Sequence, residues 1–433
     1  MTPRVDTKPP QYSGPALVWS LAQRSPMVLH TVCALGLLQL CRKISHSPTV
    51  PRRVSEATEH YATVLRLLAV AIYNLAHISE LDFILATLWL MISYELVQGA
   101  TGAGISVHLR GAAILLQGQL RNLRNLINPP NRLDFGFREI KSKSTVSEEI
   151  FGIICVTSQL LLWIAIVDGS AALNGINAAF NHMLGEAMHD LADNETASRL
   201  MGFRTLRQYA ILVNQEVWGS DYPQDEMIED IQCSQIFSLQ AETGQLRYML
   251  SKVADHATHD ETYSRHEIDV IACAIRDVES RYEGLLTTAR LVELSKAGLQ
   301  RRFVLNICTI VPFYYGVVLL FFNLCKSSGT LNDRQRSAMR EIMTLAFQAY
   351  TVEGDRAIYK ISWPLFIVAL ESDDMIHRAW ILERFGTLAN EGENLRRAHE
   401  ALTSAFSQQK LPKRHVSYME LLRHSNIEPF ILE

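Results

Sequence analysis

His108 and Arg110 stand on either side of Leu109, just ahead of Gly111-Ala112-Ala113, and Glu95 closes the apolar stretch 86–96 shortly before them. His108 or Arg110 can project into a cavity and orient a ligand, or both can be partner-bonded groups at the helix junction that Gly111 marks. Glu95 shares a helical face with Leu88, Met91 and Ile92, so partial burial is expected. A buried carboxylate must find an interior partner or shift toward its neutral form. Asp168, before Gly169, and Glu371 both close apolar runs. An anion at a helix C-terminus opposes the helix dipole, so each should pair with a cation or belong to the following turn.

A second group, Asn306, Tyr314 and Tyr315, lies in the apolar stretch 303–325. Pro312 lacks an N–H and its ring crowds the carbonyl of Cys308, which predicts a kink or break in a helix there. A free carbonyl beside two phenols and an amide would give an apolar pocket with a few convergent polar groups, the usual form of a small-molecule site. The ligand-binding candidates are therefore His108, Arg110, Glu95, Asn306, Tyr314 and Tyr315.

Several chemistries find no support in the sequence. There is no GxSxG, GxxxxGK[ST], GxGxxG or HExxH, and no HxE followed by CxxC. The glycines at 99, 102 and 104 follow no strand pattern and give a weak phosphate signal. The seven cysteines, at 33, 41, 155, 233, 273, 308 and 325, form no CxxC pair. They read as small buried hydrophobes in a reducing compartment, not as metal ligands or a disulfide framework. No metal and no cofactor is implied. With 41 basic against 45 acidic residues the formal charge is −4, and the basic stretches 121–124, 138–143 and 410–415 are short, so direct nucleic-acid binding is disfavoured.

The elements that must position these residues are helices. Helical periodicity runs through most of the 433 residues and no period-two alternation stands out. Ser79-Glu80-Leu81-Asp82 and Thr145-Val146-Ser147-Glu148 fit the capping-box pattern ahead of long apolar runs. Gly99 and Gly102 punctuate the gap before the His108 helix, and residues near 127–143 and 219–224 read as connections. Residues 1–14 read as a disordered lead without a secretory apolar core, and 15–433 as one large all-helical domain. The stretch 303–325 is long enough to cross a bilayer, but its interior polar groups and the lack of a second comparable stretch favour a buried core helix and no membrane span.

The apolar helix ending at Glu95, the His108-Leu109-Arg110-Gly111-Ala112 segment, the distant Trp363-Pro364-Leu365-Phe366-Ile367 helix and His377-Arg378-Ala379-Trp380-Ile381 together resemble the helical regulatory domain of fungal zinc-cluster transcription factors. The likeness extends to residues 25–40 and so covers most of the chain. It implies an all-α, multi-helix bundle in which Gly111, Trp363, Pro364, His377 and Arg378 are structural. A helical glycine costs about 1 kcal/mol relative to alanine, so Gly111 beside Ala112 and Ala113 is expected to be a point of close helix approach. The resemblance also implies a regulator or co-regulator, here without the binuclear zinc module, since six clustered thiolates are missing. Such a protein would bind an apolar small molecule in secondary metabolism and act in the nucleus through a DNA-binding or coactivator partner. The alternative is a cofactor-free cyclase, isomerase or Diels-Alderase-type pericyclase in the cytoplasm, acting on a terpenoid or polyketide, because a pocket that only orients a flexible substrate can remove much of an entropic barrier.

Overall fold

The computed structural model describes residues 7–43, 49–74, 80–99, 102–127, 145–176, 179–187, 195–256, 261–325, 331–409, 418, 421 and 428–432. The connection expected near 127–143 and the basic stretches 138–143 and 410–415 lie outside the described residues, save that a helix ends at Ile127. Two compact units emerge. One comprises Met1–Gln98, Gly104–Asp168 and Ala178–Ser234, the other Gly99–Ala103, Gly169–Asn177 and Gln235–Glu433. Regular structure among the described residues is helical, as the periodicity predicts.

In the first unit the chain forms α1 (Gly14–Ala22), α2 (Pro26–Lys43), α3 (Val50–Tyr73), α4 (Leu81–Gln98), α5 (Ala103–Ile127), α6 (Thr145–Leu173), α7 (Phe180–Ala187), α8 (Glu195–Ala210), α9 (Val213–Trp218) and α10 (Gln224–Gln232). Helix α4 is apolar on every side, so it can only be stable when enclosed. It is buried along nearly its whole length, packs against α2 and α3, and sets Trp89 against Trp163 of α6 at 4.6 Å between ring centroids. Helix α3 has a polar face with three buried anchors, Ala57, Val64 and Leu68. Gly99 and Gly102, with φ of 76° and 83°, turn the chain between α4 and α5, backbone that side-chain-bearing residues rarely adopt. Near the N-terminus, Lys8 bonds the Tyr222 hydroxyl at 2.5 Å and Asp230 at 2.6 Å, so part of the expected lead is fixed to α10.

The second unit contains α11 (Ser234–His256), α12 (Glu261–Arg281), α13 (Glu283–Leu291), α14 (Arg301–Leu324), α15 (Asp333–Glu353), α16 (Asp355–Lys360), α17 (Ser362–Glu371), α18 (Met375–Leu388) and α19 (Glu393–Gln409). Helix α14 runs unbroken through Pro312. The break expected from the missing N–H does not occur, because α15 and α17 pack along the helix and hold it. Asn332 starts α15 with a reciprocal capping box to Gln335, which satisfies donors the first turn would leave free. Every residue of α17 is buried. Pro364 sits in its first turn, where a missing N–H costs little.

The long apolar stretches total three among the described residues: Leu81–Gln98, Ile154–Leu173 and Gly298–Leu324 are each long and apolar enough to cross a membrane. The sequence reading recognised only the last. All three are mostly buried against protein, so each belongs to the core of a helical unit.

Candidate functional site

The chemistry-bearing residues fall into two groups, one in each unit. In the first unit, α4 and α5 bring Glu95 and His108 together, and α3 supplies a partner that sequence reading did not single out, Tyr61. Its hydroxyl lies 2.7 Å from Glu95 Oε1 and 2.6 Å from His108 Nε2. One hydroxyl has one proton to give. Tyr61 therefore donates to the carboxylate and accepts from His108 Nε2–H, which fixes the imidazole tautomer.

Glu95 also lies at the first turn of α5, where Gly104 leaves room for it. A Cβ at 104 would sit 2.5 Å from Glu95 Oε2. Burial alone would push the Glu95 carboxyl up, but the hydrogen bonds from His108 and Tyr61 outweigh it and hold the pKa below the usual carboxylate range. Tyr61 shifts strongly upward, first through burial and then through its bond to Glu95. Its ring stacks on Tyr94 at 4.4 Å. Glu95 is thus an interior pairing partner and not a raised-pKa acid. Arg110 points away from this cluster into solvent.

Gly111 corrects the sequence reading. It is exposed, and among the described residues nothing lies within 4 Å of where its Cβ would stand. The close contacts fall at other glycines. A Cβ at Gly169 would meet the Gly244 carbonyl oxygen at 2.7 Å, and one at Gly316 would meet the Trp363 ring at the same distance. The flanking Ala112 and Ala113 are buried, so α5 packs through its alanines with Gly111 on the opposite side.

Two further acids are buried with hydrogen-bond donors beside them, one of them at backbone N–H groups. Asp168 is fully buried and accepts from the N–H groups of Phe180 and Asn181, at 3.0 Å each, and from Asn181 Nδ2 at 2.9 Å. It therefore sits at the N-terminus of α7, where the dipole favours an anion. Asp82 is buried beside Thr157, whose hydroxyl donates to it, yet burial pushes its pKa up to about 7.

In the second unit the centre is Trp363, which is fully buried. The Arg247 guanidinium, 2 % exposed, lies over its ring at 4.0 Å, a geometry in which cation and ring quadrupole attract. Phe313 of α14 stacks on the same indole at 6.0 Å. Arg378 likewise covers Phe406 at 4.1 Å, while His377 is half-exposed and follows the Asp374 cap of α18. Glu371 accepts from Asn323 Nδ2 at 2.6 Å.

Asn306, Tyr314 and Tyr315 are all buried on α14. The Tyr315 hydroxyl lies beside Arg290 without a well-formed hydrogen bond, and burial raises its pKa against that cation. The Tyr314 hydroxyl, on a residue only 1 % exposed, meets no hydrogen-bond partner among the described residues. The same holds for both amide atoms of the fully buried Gln245 on α11. Neither orphan is visible in sequence, since helical periodicity assigns burial and not partners.

Among the described residues no three His, Cys, Asp or Glu side chains gather as a metal cluster. Among the described residues the architecture is all-helical, with an interior Glu–His pair in the first unit and a buried Trp-Pro helix in the second. The family model of the fungal specific transcription factor domain matches residues 13–431, and the chain belongs to that family. No curated protein and no solved structure matches the chain.

Proposed function

We propose that this chain is a nuclear regulatory module of secondary metabolism whose second unit binds an apolar small molecule carrying one hydrogen-bonding group near Tyr314. The observation behind this reading is the Tyr314 hydroxyl, closed off from solvent with no partner among the described residues. Leaving a buried donor unmade costs about 1–3 kcal/mol, and native proteins rarely retain such a group without a use for it. A ligand carbonyl or hydroxyl would satisfy it, and the apolar side chains of α14 suit the rest of a terpenoid or polyketide. Family membership supports the regulatory half of the proposal.

The polar centre of the first unit is already paired internally, so its part in this reading is to hold α3, α4 and α5 together. The test is a panel of lipophilic terpenoid and polyketide precursors, followed by melting temperature and product formation. A saturable rise in melting temperature that falls by at least about fivefold in affinity with Tyr314→Phe, the loss of one hydrogen bond, supports the reading. Turnover would replace the regulator with a cofactor-free enzyme. No stabilisation across the panel would overturn ligand binding.

A further inference from the structure

We propose that segment 428–432 is a displaceable self-ligand, and that the groove it fills in the second unit is a docking site for an extended partner peptide of the same chemistry: an acidic residue, a proline and three bulky apolar residues. The segment is non-helical, unlike the helices around it, yet Phe430, Ile431 and Leu432 are only 3 %, 1 % and 1 % exposed. Side chains of the surrounding helices read its main chain. Arg397 Nη1 donates to the Pro429 carbonyl at 3.1 Å, the Ile431 N–H donates to Asn394 Oδ1 at 3.1 Å, and Arg247 Nη2 donates to the Leu432 carbonyl at 3.1 Å.

Arg397 also pairs with the Glu428 carboxylate. The Phe430 ring meets Phe366 of α17 edge-on at 5.4 Å. This is how proteins hold extended peptides in general: main-chain hydrogen bonds give affinity, and pockets for side chains give specificity. Main-chain bonds do not depend on which chain supplies the backbone. The groove therefore accepts the same pattern from a second polypeptide whenever the resident segment leaves.

The two arginines give the site its sign. Arg397 at the Glu428 end selects an acid ahead of the proline, and Arg247 at the Leu432 end selects a carbonyl oxygen beside the Trp363 ring. A tethered segment competes at an effective concentration in the millimolar range, so the groove stays closed to dilute peptide until the resident segment is weakened. The inference rests on the chain acting through protein partners. Its assay contains no lipophilic ligand, so its failure leaves small-molecule binding at Tyr314 untouched.

The experiment uses the full chain and a fluorescent, capped Glu-Pro-Phe-Ile-Leu peptide with a scrambled control. Phe430→Ala is expected to bind the peptide at least about tenfold tighter than the wild type, the gain from removing a tethered competitor. Adding Asn394→Ala should weaken that binding at least about fivefold, the loss of one main-chain hydrogen bond. If Phe430→Ala does not fold, Glu428→Lys, at a side chain 58 % exposed, takes its place. In parallel, native-state hydrogen exchange should show the Ile431 amide exchanging by local opening, at least about tenfold faster than the amides of α17. Exchange of Ile431 only with global unfolding would overturn the proposal. So would a folded tail variant that ignores the peptide or binds the scrambled control equally.

Discussion

The cluster of Tyr61, Glu95 and His108 in the first unit and the aromatic core of the second, where Arg247 covers Trp363 and α14 buries Tyr314, solve opposite problems. The first is polar and complete: one hydroxyl joins a carboxylate and an imidazole, and each of the three groups has a partner. The second is aromatic and incomplete, with a cation held against an indole while the Tyr314 hydroxyl on α14 meets no hydrogen-bond partner among the described residues. A satisfied network ties helices together. An unsatisfied hydroxyl in an apolar core is costly to keep, and the proposal of ligand binding in the second unit rests on that contrast.

The comparison breaks first at Trp363. If the indole is the keystone of the second unit, Trp363→Ala should cost about 3–5 kcal/mol, measured by chemical denaturation, whereas truncating exposed Arg110 should change little. Equal losses would mean that the two regions are not energetically distinct.

Next comes pH. The buried Asp82 carboxyl is raised to about 7 from an ordinary value of 3.8. The folded state therefore holds a proton that the unfolded state releases. This contribution is fully present below about pH 4 and is lost as pH rises toward 7. Asp82→Asn should be near neutral below about pH 4 and stabilising by roughly 1–3 kcal/mol at pH 8. Glu95 has the opposite sign: its lowered pKa stabilises above the ordinary carboxylate range and is lost in acid. A pH profile of stability that is unchanged by Asp82→Asn would remove the first of these claims.

The glycines sharpen the comparison with a smaller effect. Gly316→Ala should cost about 1–3 kcal/mol through overpacking on Trp363. Gly111→Ala should instead stabilise by up to about 1 kcal/mol, since an exposed helical glycine loses only entropy. Thermal melts of the two variants should move in opposite directions.

Much of the fold was legible because burial in helices leaves a periodic trace. The apolar stretches of α4 and α14 and the Trp363 helix could be read as core without coordinates, and Glu95 and His108 could each be named as a candidate, though not as partners of one another. Tyr61 could not, because a phenol in the mixed sequence around His60 and Ala62 gives no sign that its hydroxyl meets residues 34 and 47 positions away. Gly111 misled for the mirror reason: next to Ala112 and Ala113 it suggests a flat contact face, yet the helix turns the alanines inward and the glycine out. Asp168 was expected to pair with a cation or to belong to the following turn, and the fold also sets it at the N-terminus of α7, which local sequence does not announce. Arg247 lies in a segment of mixed polarity, where nothing local predicts that a guanidinium will be sealed over an indole.

The most direct test compares Tyr61→Phe with Tyr314→Phe in the unliganded protein by equilibrium denaturation at neutral pH. Removing the Tyr61 hydroxyl strands Glu95 and His108 and should destabilise by about 1–3 kcal/mol. Removing the unmatched Tyr314 hydroxyl should be neutral or stabilising by up to about 1 kcal/mol. If Tyr314→Phe destabilises the protein as much as Tyr61→Phe does, the Tyr314 hydroxyl is already satisfied within the fold, and the case for a ligand site in the second unit falls.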